Sequence, residues 1–198
     1  MNELNIFNLA LSHLGEVAIS QYPETGSLQR VTDLITTFVS SSLEETIQLH
    51  PWNECKTRSW VASSSVDYSG SYSYAYLAPT ESIDILSTGE TYSESAPEYG
   101  EVEGEYFWSD NSSPLLFKYT QVVALTKLKQ PAIDVYTRVL AKNMVKGLNG
   151  DEKMRIELIK ELEQTYLPRS KYKNDRNLVR PPKQDRSRWS NAKTNYTV

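Results

Sequence analysis

The sequence lacks the residues on which most small catalytic and metal sites depend. Its one cysteine, Cys55, excludes an internal disulfide and the paired-cysteine zinc and redox motifs. With two histidines, His13 and His50, it cannot form a histidine-rich metal site. Glycine-rich phosphate loops, the G-x-S-x-G turn and the H-E-x-x-H zinc motif are also missing. We therefore expect no cofactor, no metal ion and no catalytic activity.

Long apolar runs are missing too. No stretch approaches the roughly 18 apolar residues of a membrane span, and no basic segment precedes the apolar positions of the N-terminus. We expect a soluble protein made in the cytoplasm. Its 198 residues suffice for one domain with its own core and a small appendage.

Two features of the sequence are unusual: tyrosine is abundant, and the basic residues are concentrated at the C-terminal end. Thirteen tyrosines and four tryptophans stand against four phenylalanines, a balance that suits surfaces buried on association. Residues 168–198 hold nine basic and two acidic residues, whereas residues 1–167 hold 12 basic and 23 acidic ones. An acidic body with a basic tail indicates docking, because the tail is attracted to an acidic partner or to nucleic acid.

Two helices are predicted near the N-terminus. The first carries its apolar stripe from Leu4 onward and ends before Gly15, a residue type that terminates many helices. The second keeps helical spacing from Leu28 and should stop at about Leu49, because Pro51 disfavours helical backbone at the residue before it. The chain should then turn sharply.

Two more helices are predicted towards the C-terminus. One opens at Pro131 and ends at Gly147 or Gly150, and the next runs from near Asp151 to Pro168. Each of the four helices has a single apolar stripe, so they should pack on one another.

Between the second and third helices the pattern is typical of strands. Strands are predicted over 57–61, 82–87, 105–108 and 114–119, and together they form a small antiparallel sheet. The serine- and tyrosine-rich residues 63–76 are predicted to be a flexible or edge-like loop. From Glu81 to Asp110 there are nine acidic residues and no basic one, which predicts an acidic surface.

The predicted fold is α+β and mainly α. Residues 1–56 and 120–167 form a four-helix bundle, and residues 57–119 form a small antiparallel β-domain inserted between helices 2 and 3. Residues 168–198 form an extended basic C-terminal arm, because they lack apolar periodicity and contain Pro181-Pro182. The helical core should therefore be complete without the arm.

Several segments, taken in order, resemble a known family. They are NLALSHLGE at 8–16, LHPWNECKTRSW at 49–60, YLAPTESIDILS at 76–87, LLFKY at 115–119, and the helix opened by Pro131. Over roughly residues 2–167 the chain is similar to the tail tubular protein A family of short-tailed phages, which has relatives in crAss-like phages. Here Glu54-Cys55 replaces the aromatic-alanine pair that follows the tryptophan in that family.

The resemblance implies a structural virion protein of the phage neck, with no membrane partner. Members of the family are head-to-tail adaptors that form a ring, here a dodecamer, between the portal and the tail nozzle or a second ring protein. The ring leaves a central channel for genome ejection. The family's C-terminal segment embraces the portal, which implies a portal-binding set of Arg169, Lys171, Tyr172, Arg176, Arg180, Arg186, Arg188 and Trp189. The HPW segment at 50–52, which carries part of the resemblance, is expected to form a structural elbow of His50, Pro51 and Trp52 between helix and sheet.

Other interpretations of these residues remain open. The basic arm is also consistent with a solvated tail, or with a nucleic-acid-binding segment that uses the same charges. The acidic residues Asp84, Glu90 and Glu94 could form a hydrolase or metal site, although an acidic surface strip is favoured. Trp52 is expected to fill the junction between helix and sheet rather than to anchor an interface. Cys55 is expected to be an inert core residue.

Overall fold

A computed structural model describes residues 1–64, 72–89, 101–103, 105–110, 114–148 and 150–176. Over these residues the predicted fold class is confirmed: the chain is mainly helical, with small antiparallel sheets between the second and third helices. The helices are α1 (Glu3–His13), α2 (Gln29–Leu49), α3 (Gln130–Leu148), α4 (Glu152–Glu161) and α5 (Leu167–Arg176). A π-helical turn, Leu162–Tyr166, joins α4 to α5 without interruption, so the three segments form one continuous fourth helix.

The helix ends follow the sequence signals. The Asn2 side chain accepts a hydrogen bond from the backbone N–H of Asn5 at 2.9 Å and caps the start of α1. Gly15 follows α1 and Gly150 follows α3, each with φ at +69°, where glycine carries no steric penalty. Of the two glycines that the sequence offered as the end of the third helix, Gly150 therefore has the terminating conformation.

Helix α3 is the centre of the helical unit. Eleven of its 19 residues are buried, and it packs against α1, α2, α4 and α5. The core cluster includes Phe7 of α1, Ile35 of α2, and Tyr136 and Leu140 of α3, all fully buried. Burial of this shared apolar surface holds the four helices together.

The strands form two three-stranded antiparallel sheets. The first contains β1 (Lys56–Val61), β6 (Leu115–Gln121) and β3 (Ser82–Gly89) in that order, and the second contains β2 (Tyr74–Leu77), β5 (Tyr106–Ser109) and β4 (Glu101–Glu103). The sheets share a second apolar cluster, in which Phe107 of β5 meets Phe117 of β6 edge to face at 5.7 Å between ring centroids.

Part of the predicted loop over residues 63–76 is wrong. Residues 74–77 form β2, and Tyr76 is fully buried in the cluster between the sheets. The alternation of aromatic residues at 74 and 76 with smaller neighbours has the two-residue period of a strand, which outweighs the loop-like serine content. Strand β4 was not predicted either. Residues 65–71 of the predicted loop lie outside the described residues.

The prediction of an extended arm from residue 168 is also wrong for its first part, because residues 168–176 are helical. The preceding π-helical turn explains why Pro168 does not end the helix. The Leu167 N–H donates to the carbonyl of Leu162, five residues back, so the wider turn relieves the backbone just where proline follows. The buried face of α5 is polar, with Ser170 2% and Asn174 4% exposed, so it shows no apolar stripe in the sequence.

Candidate docking site at the elbow and the C-terminal helix

The predicted elbow, His50, Pro51 and Trp52, is the first half of the connection between α2 and β1, and we call the whole connection, residues 50–55, the elbow. His50 has extended backbone angles, φ −164° and ψ 137°, as expected of a residue before proline. After Pro51 and Trp52 the chain makes a short 3-10 turn, Asn53–Cys55, and enters β1. The helix therefore ends at Leu49, as the proline predicts.

Trp52 fixes the geometry of the elbow from inside. Its side chain is fully buried, and its indole N–H donates to the carbonyl of Thr46 at 2.8 Å. The His50 ring stands edge-on to the indole, with 4.7 Å between ring centroids. Trp52 thus fills the interior at the junction and presents no surface to a partner.

Asn174 of α5 is hydrogen-bonded to the elbow. Its side-chain oxygen accepts from the backbone N–H of Asn53 at 3.2 Å, and its backbone carbonyl accepts from the Asn53 side-chain amide at 2.8 Å. The Asn174 side-chain nitrogen lies 3.0 Å from Nε2 of His50. The base of the predicted arm is thereby joined to the predicted elbow.

The surroundings of His50 favour its neutral form. Burial lowers the pKa of His50 below its ordinary value of 6.5, the nearby cations Lys171 and Lys56 lower it further, and Asp175 opposes them. Asp175 Oδ1 lies 3.4 Å from Nε2 of His50. A neutral imidazole can accept the hydrogen bond from Asn174, so the contact is complete without a proton on His50.

The outer face of α5 is basic and aromatic. Arg169, Tyr172, Lys173 and Arg176 are exposed, and Tyr172 is 66% exposed. Lys171 is half-buried beside His50. Of the predicted portal-binding residues, the structure therefore places four on one helix; the other four, Arg180, Arg186, Arg188 and Trp189, lie outside the described residues.

The direction of α5 is set upstream by Arg138 and Tyr166. Arg138 is 7% exposed, its guanidinium carbon lies 3.1 Å from the Tyr166 ring centroid, and its Nη1 donates to the carbonyl of Asp134 at 2.8 Å. Tyr166 is the last residue of the π-helical turn. Neither this stacking nor the Asn53–Asn174 pair has a local sequence signal, because the partners lie on different elements.

The other candidate residues show no reactive arrangement. Burial raises the pKa of the Cys55 thiol to about 12, so it stays protonated and un-nucleophilic at neutral pH. Burial also lowers the pKa of His13, and the charge of Arg138 adds to the effect. Asp84 is exposed on β3, whereas Glu90 and Glu94 lie outside the described residues. The described part of the chain contains no group of three or more metal-ligating side chains.

No helix within the described ranges is both long enough and apolar enough to cross a membrane. Neither a family model nor a curated protein matches the chain. The resemblance to the tail tubular protein A family therefore rests on the five sequence segments that carry it, and the functions that it implies are proposals.

Proposed function

We propose that this protein is a head-to-tail adaptor in the neck of a short-tailed phage. Identical copies form a ring, a dodecamer by the family resemblance, between the portal and the tail nozzle or a second ring protein. The ring leaves a channel for the genome, and the basic C-terminal segment attaches it to the portal. The observation that carries this proposal is the attachment of α5 to the elbow through Asn174.

A docking segment binds more tightly when its base is already ordered, because less conformational entropy is lost on binding. Helix α5 supplies such a base. Its inner face is fixed by Asn174, and its outer face presents Arg169, Lys173 and Arg176 to solvent. The distal arm, residues 177–198, adds five basic residues and one acidic residue to the same charge. Attraction to an acidic surface of the portal follows from this arrangement.

The negative charge of residues 1–167 is consistent with a ring protein that surrounds a channel for DNA. Residues 1–167 carry eleven more acidic than basic residues, so the body repels DNA at short range. A channel wall of this charge lets a genome pass without binding it. A ring of identical subunits also requires a heterologous interface that closes on itself.

The first check is the gene neighbourhood, where portal and major capsid genes are expected beside this one. The binding test then uses capsids that carry the portal and lack this protein. The full chain should cosediment with them, and electron microscopy should show a ring at one vertex. A chain truncated after Arg176 keeps α5 and should lose attachment. If the truncated chain occupies the capsids as fully as the intact one, the arm is not the portal anchor.

Point variants separate charge from apolar contact. Arg186→Glu with Arg188→Glu should weaken attachment most at low salt, where charges are least screened. Trp189→Ala should also weaken attachment, and the size of this loss should change little with salt, because it removes an apolar contact. The matched control is Lys153→Glu with Lys160→Glu, which reverses two exposed lysines of α4 and should leave attachment unchanged.

One observation favours a second candidate function, nucleic-acid binding. Tyr172 is exposed between Lys171 and Lys173, and an exposed aromatic side chain among cations can stack on a base. Under this function, the full chain binds single-stranded DNA in a gel-shift assay, Tyr172→Ala weakens binding, and the affinity falls steeply with salt. Under the adaptor function, the full chain binds portal-bearing capsids, and this binding persists in an excess of single-stranded DNA.

A further inference from the structure

A groove of about 540 Å³ lies between the C-terminal half of α2 and the start of β3. Glu44 and Gln48, one helical turn apart, line it from α2. Glu81 and Ile83 line it from the other side, together with Val122, which comes just after β6. The groove lies outside the contact between α5 and the elbow.

The groove combines an apolar strip with two carboxylates. Val122 is 50% exposed, and Ile83 is half-buried with its inner side against the helical core. The backbone N–H of Ser82 donates to the carbonyl of Pro79 at 2.8 Å, and this turn holds Glu81 exposed at the rim. Glu44 is also exposed, and within the described ranges neither Glu44 nor Glu81 forms an ion pair. Such a surface suits a segment that carries cations and a large apolar side chain.

The distal arm has this chemistry. It contains Arg186, Arg188 and Trp189 within four residues, and its charge is opposite to that of the groove. We propose that, in the protein before it meets the portal, the distal arm of one copy docks in this groove of a second copy. Arg186 and Arg188 then face Glu44 and Glu81, and Trp189 covers the apolar strip. The contact rests on the proposed adaptor function, because it would hold copies together before their arms attach to the portal.

The length of the arm favours a second copy over the same chain. Nine residues separate Arg176 from Arg186, and Pro181-Pro182 favour an extended chain with a rise of about 3.1 Å per residue. An extended segment of this length can reach roughly 30 Å from the end of α5. That end lies beside His50, and Gln48 and Glu44 are only two and six residues before His50 on α2. To occupy its own groove the arm would have to fold back over a short distance, whereas an extended arm is long enough for the groove of a neighbouring copy.

The test is self-association of the full chain without portal, measured by sedimentation velocity over a range of concentrations. The intact chain should associate, and association should weaken as salt rises from about 0.01 M to about 1 M. Glu44→Lys with Glu81→Lys should raise the dissociation constant about tenfold or more, and so should Arg186→Glu with Arg188→Glu. Val122→Ser should also weaken association, and the size of this loss should change little with salt, because the substitution removes an apolar contact. Lys153→Glu with Lys160→Glu, on α4, is the control and should change nothing.

A mixture of the two charge-reversed proteins gives the sharpest result. Each protein alone pairs like charges and should remain a monomer. Mixed in equal amounts, each arm meets a groove of opposite charge, so association should return. An intact chain that stays monomeric at every concentration overturns the proposal, and so does association that both reversals leave unchanged or a mixture that fails to restore it.

Binding to portal-bearing capsids distinguishes this proposal from the adaptor function. Glu44→Lys with Glu81→Lys leaves the arm intact, so the variant should still attach to capsids even though it no longer self-associates. A chain that self-associates through the groove and never attaches to capsids supports the groove contact and contradicts the adaptor function. A chain that attaches to capsids without any self-association in solution contradicts the groove contact alone.

Discussion

Asn53 donates two hydrogen bonds to Asn174, 121 positions away in the sequence: its backbone N–H to the side-chain oxygen and its side-chain amide to the backbone carbonyl. Asn53 begins the 3-10 turn of the elbow, so its backbone N–H has no partner inside that turn. Asn174 satisfies it from α5. Beyond Leu167, which packs against the helical core, the last helix is thereby positioned by directional bonds, and its stability should depend on single polar atoms.

We expect Asn174→Ala to destabilise the protein by about 1–3 kcal/mol, because it removes the side-chain bonds and leaves a partly buried N–H of Asn53 without an acceptor. Urea unfolding gives the total loss, and amide hydrogen exchange should show faster exchange over residues 167–176. The control is Lys173→Ala on the exposed face, which should stay within about 0.5 kcal/mol of the intact chain. Equal stability of both variants would mean that the Asn53–Asn174 bonds contribute nothing net.

Truncation should separate α5 from the distal arm. A chain ending at Arg176 should unfold at nearly the same urea midpoint as the intact chain, because all the described core contacts remain. A chain ending at Leu167 loses the buried Ser170 and Asn174, so it should unfold at a lower midpoint. The expectation that residues 1–167 fold without the arm stays a prediction, and a cooperative unfolding transition of the chain ending at Leu167 would support it. Identical midpoints for the two truncations would mean that α5 adds no stability.

Trp52→Ala should cost about 3–5 kcal/mol, the usual range for emptying a buried aromatic site. Trp52→Phe should cost less, since a ring remains, but it leaves the Thr46 carbonyl without its indole donor. Chemical denaturation measures both losses. Trp60→Ala on β1 is the comparison: that side chain is 46% exposed, so its loss should be clearly smaller. A cost below about 1 kcal/mol for Trp52→Ala would contradict its placement in the interior.

The protein should lose stability as the pH falls below 6.5. The pKa values of His13 and His50 are both lowered from 6.5 in the folded chain, so the unfolded chain binds protons more tightly. This stabilisation is fully present above 6.5 and is lost as the pH falls from 6.5 through the folded pKa values. Urea midpoints at a series of pH values between about 7.5 and 5.5 measure the loss.

Histidine variants provide the control for the pH prediction. Gln cannot take up a proton in this pH range, so the stability of the His50→Gln variant should fall less steeply with decreasing pH. His13→Gln should remove another part of the fall. His50 responds to Asp175, Lys171 and Lys56, and the group around His13 is separate from it. The two effects should therefore add. A double variant that declines as steeply as the intact chain would place the proton uptake elsewhere.

The sequence predicted the elements whose signals are local. The apolar stripes, Gly15 and Pro51 located α1 and α2, and four of the six strands were found from their composition. Strand β2 was missed because the residues just before it are rich in serine and resemble a loop. Helix α5 was missed because its buried face is built from Ser170 and Asn174 rather than from aliphatic residues, and no apolar period can reveal a polar contact.

The candidate site was predictable only in pieces. The residues of the elbow and the basic charge of the C-terminus could be identified separately, since each is continuous in the sequence. Their association through Asn174 could not be, because hydrogen bonds between distant asparagines leave no periodic pattern. The stacking of Arg138 on Tyr166 depends on a π-helical turn, for which the sequence offers no comparable signal.

The two ends of the β insertion lie side by side, because Lys56 of β1 is paired directly with Thr120 of β6. The insertion also has its own apolar cluster, and among its described residues it is Ile83 of β3 that packs against the cluster uniting the helices. For the helices, the insertion is a long connection between α2 and α3 whose two ends lie at the same place. The insertion could therefore be lengthened, shortened or exchanged while α2 and α3 stay in register, which makes it the part of the chain best suited to diverge when a partner changes.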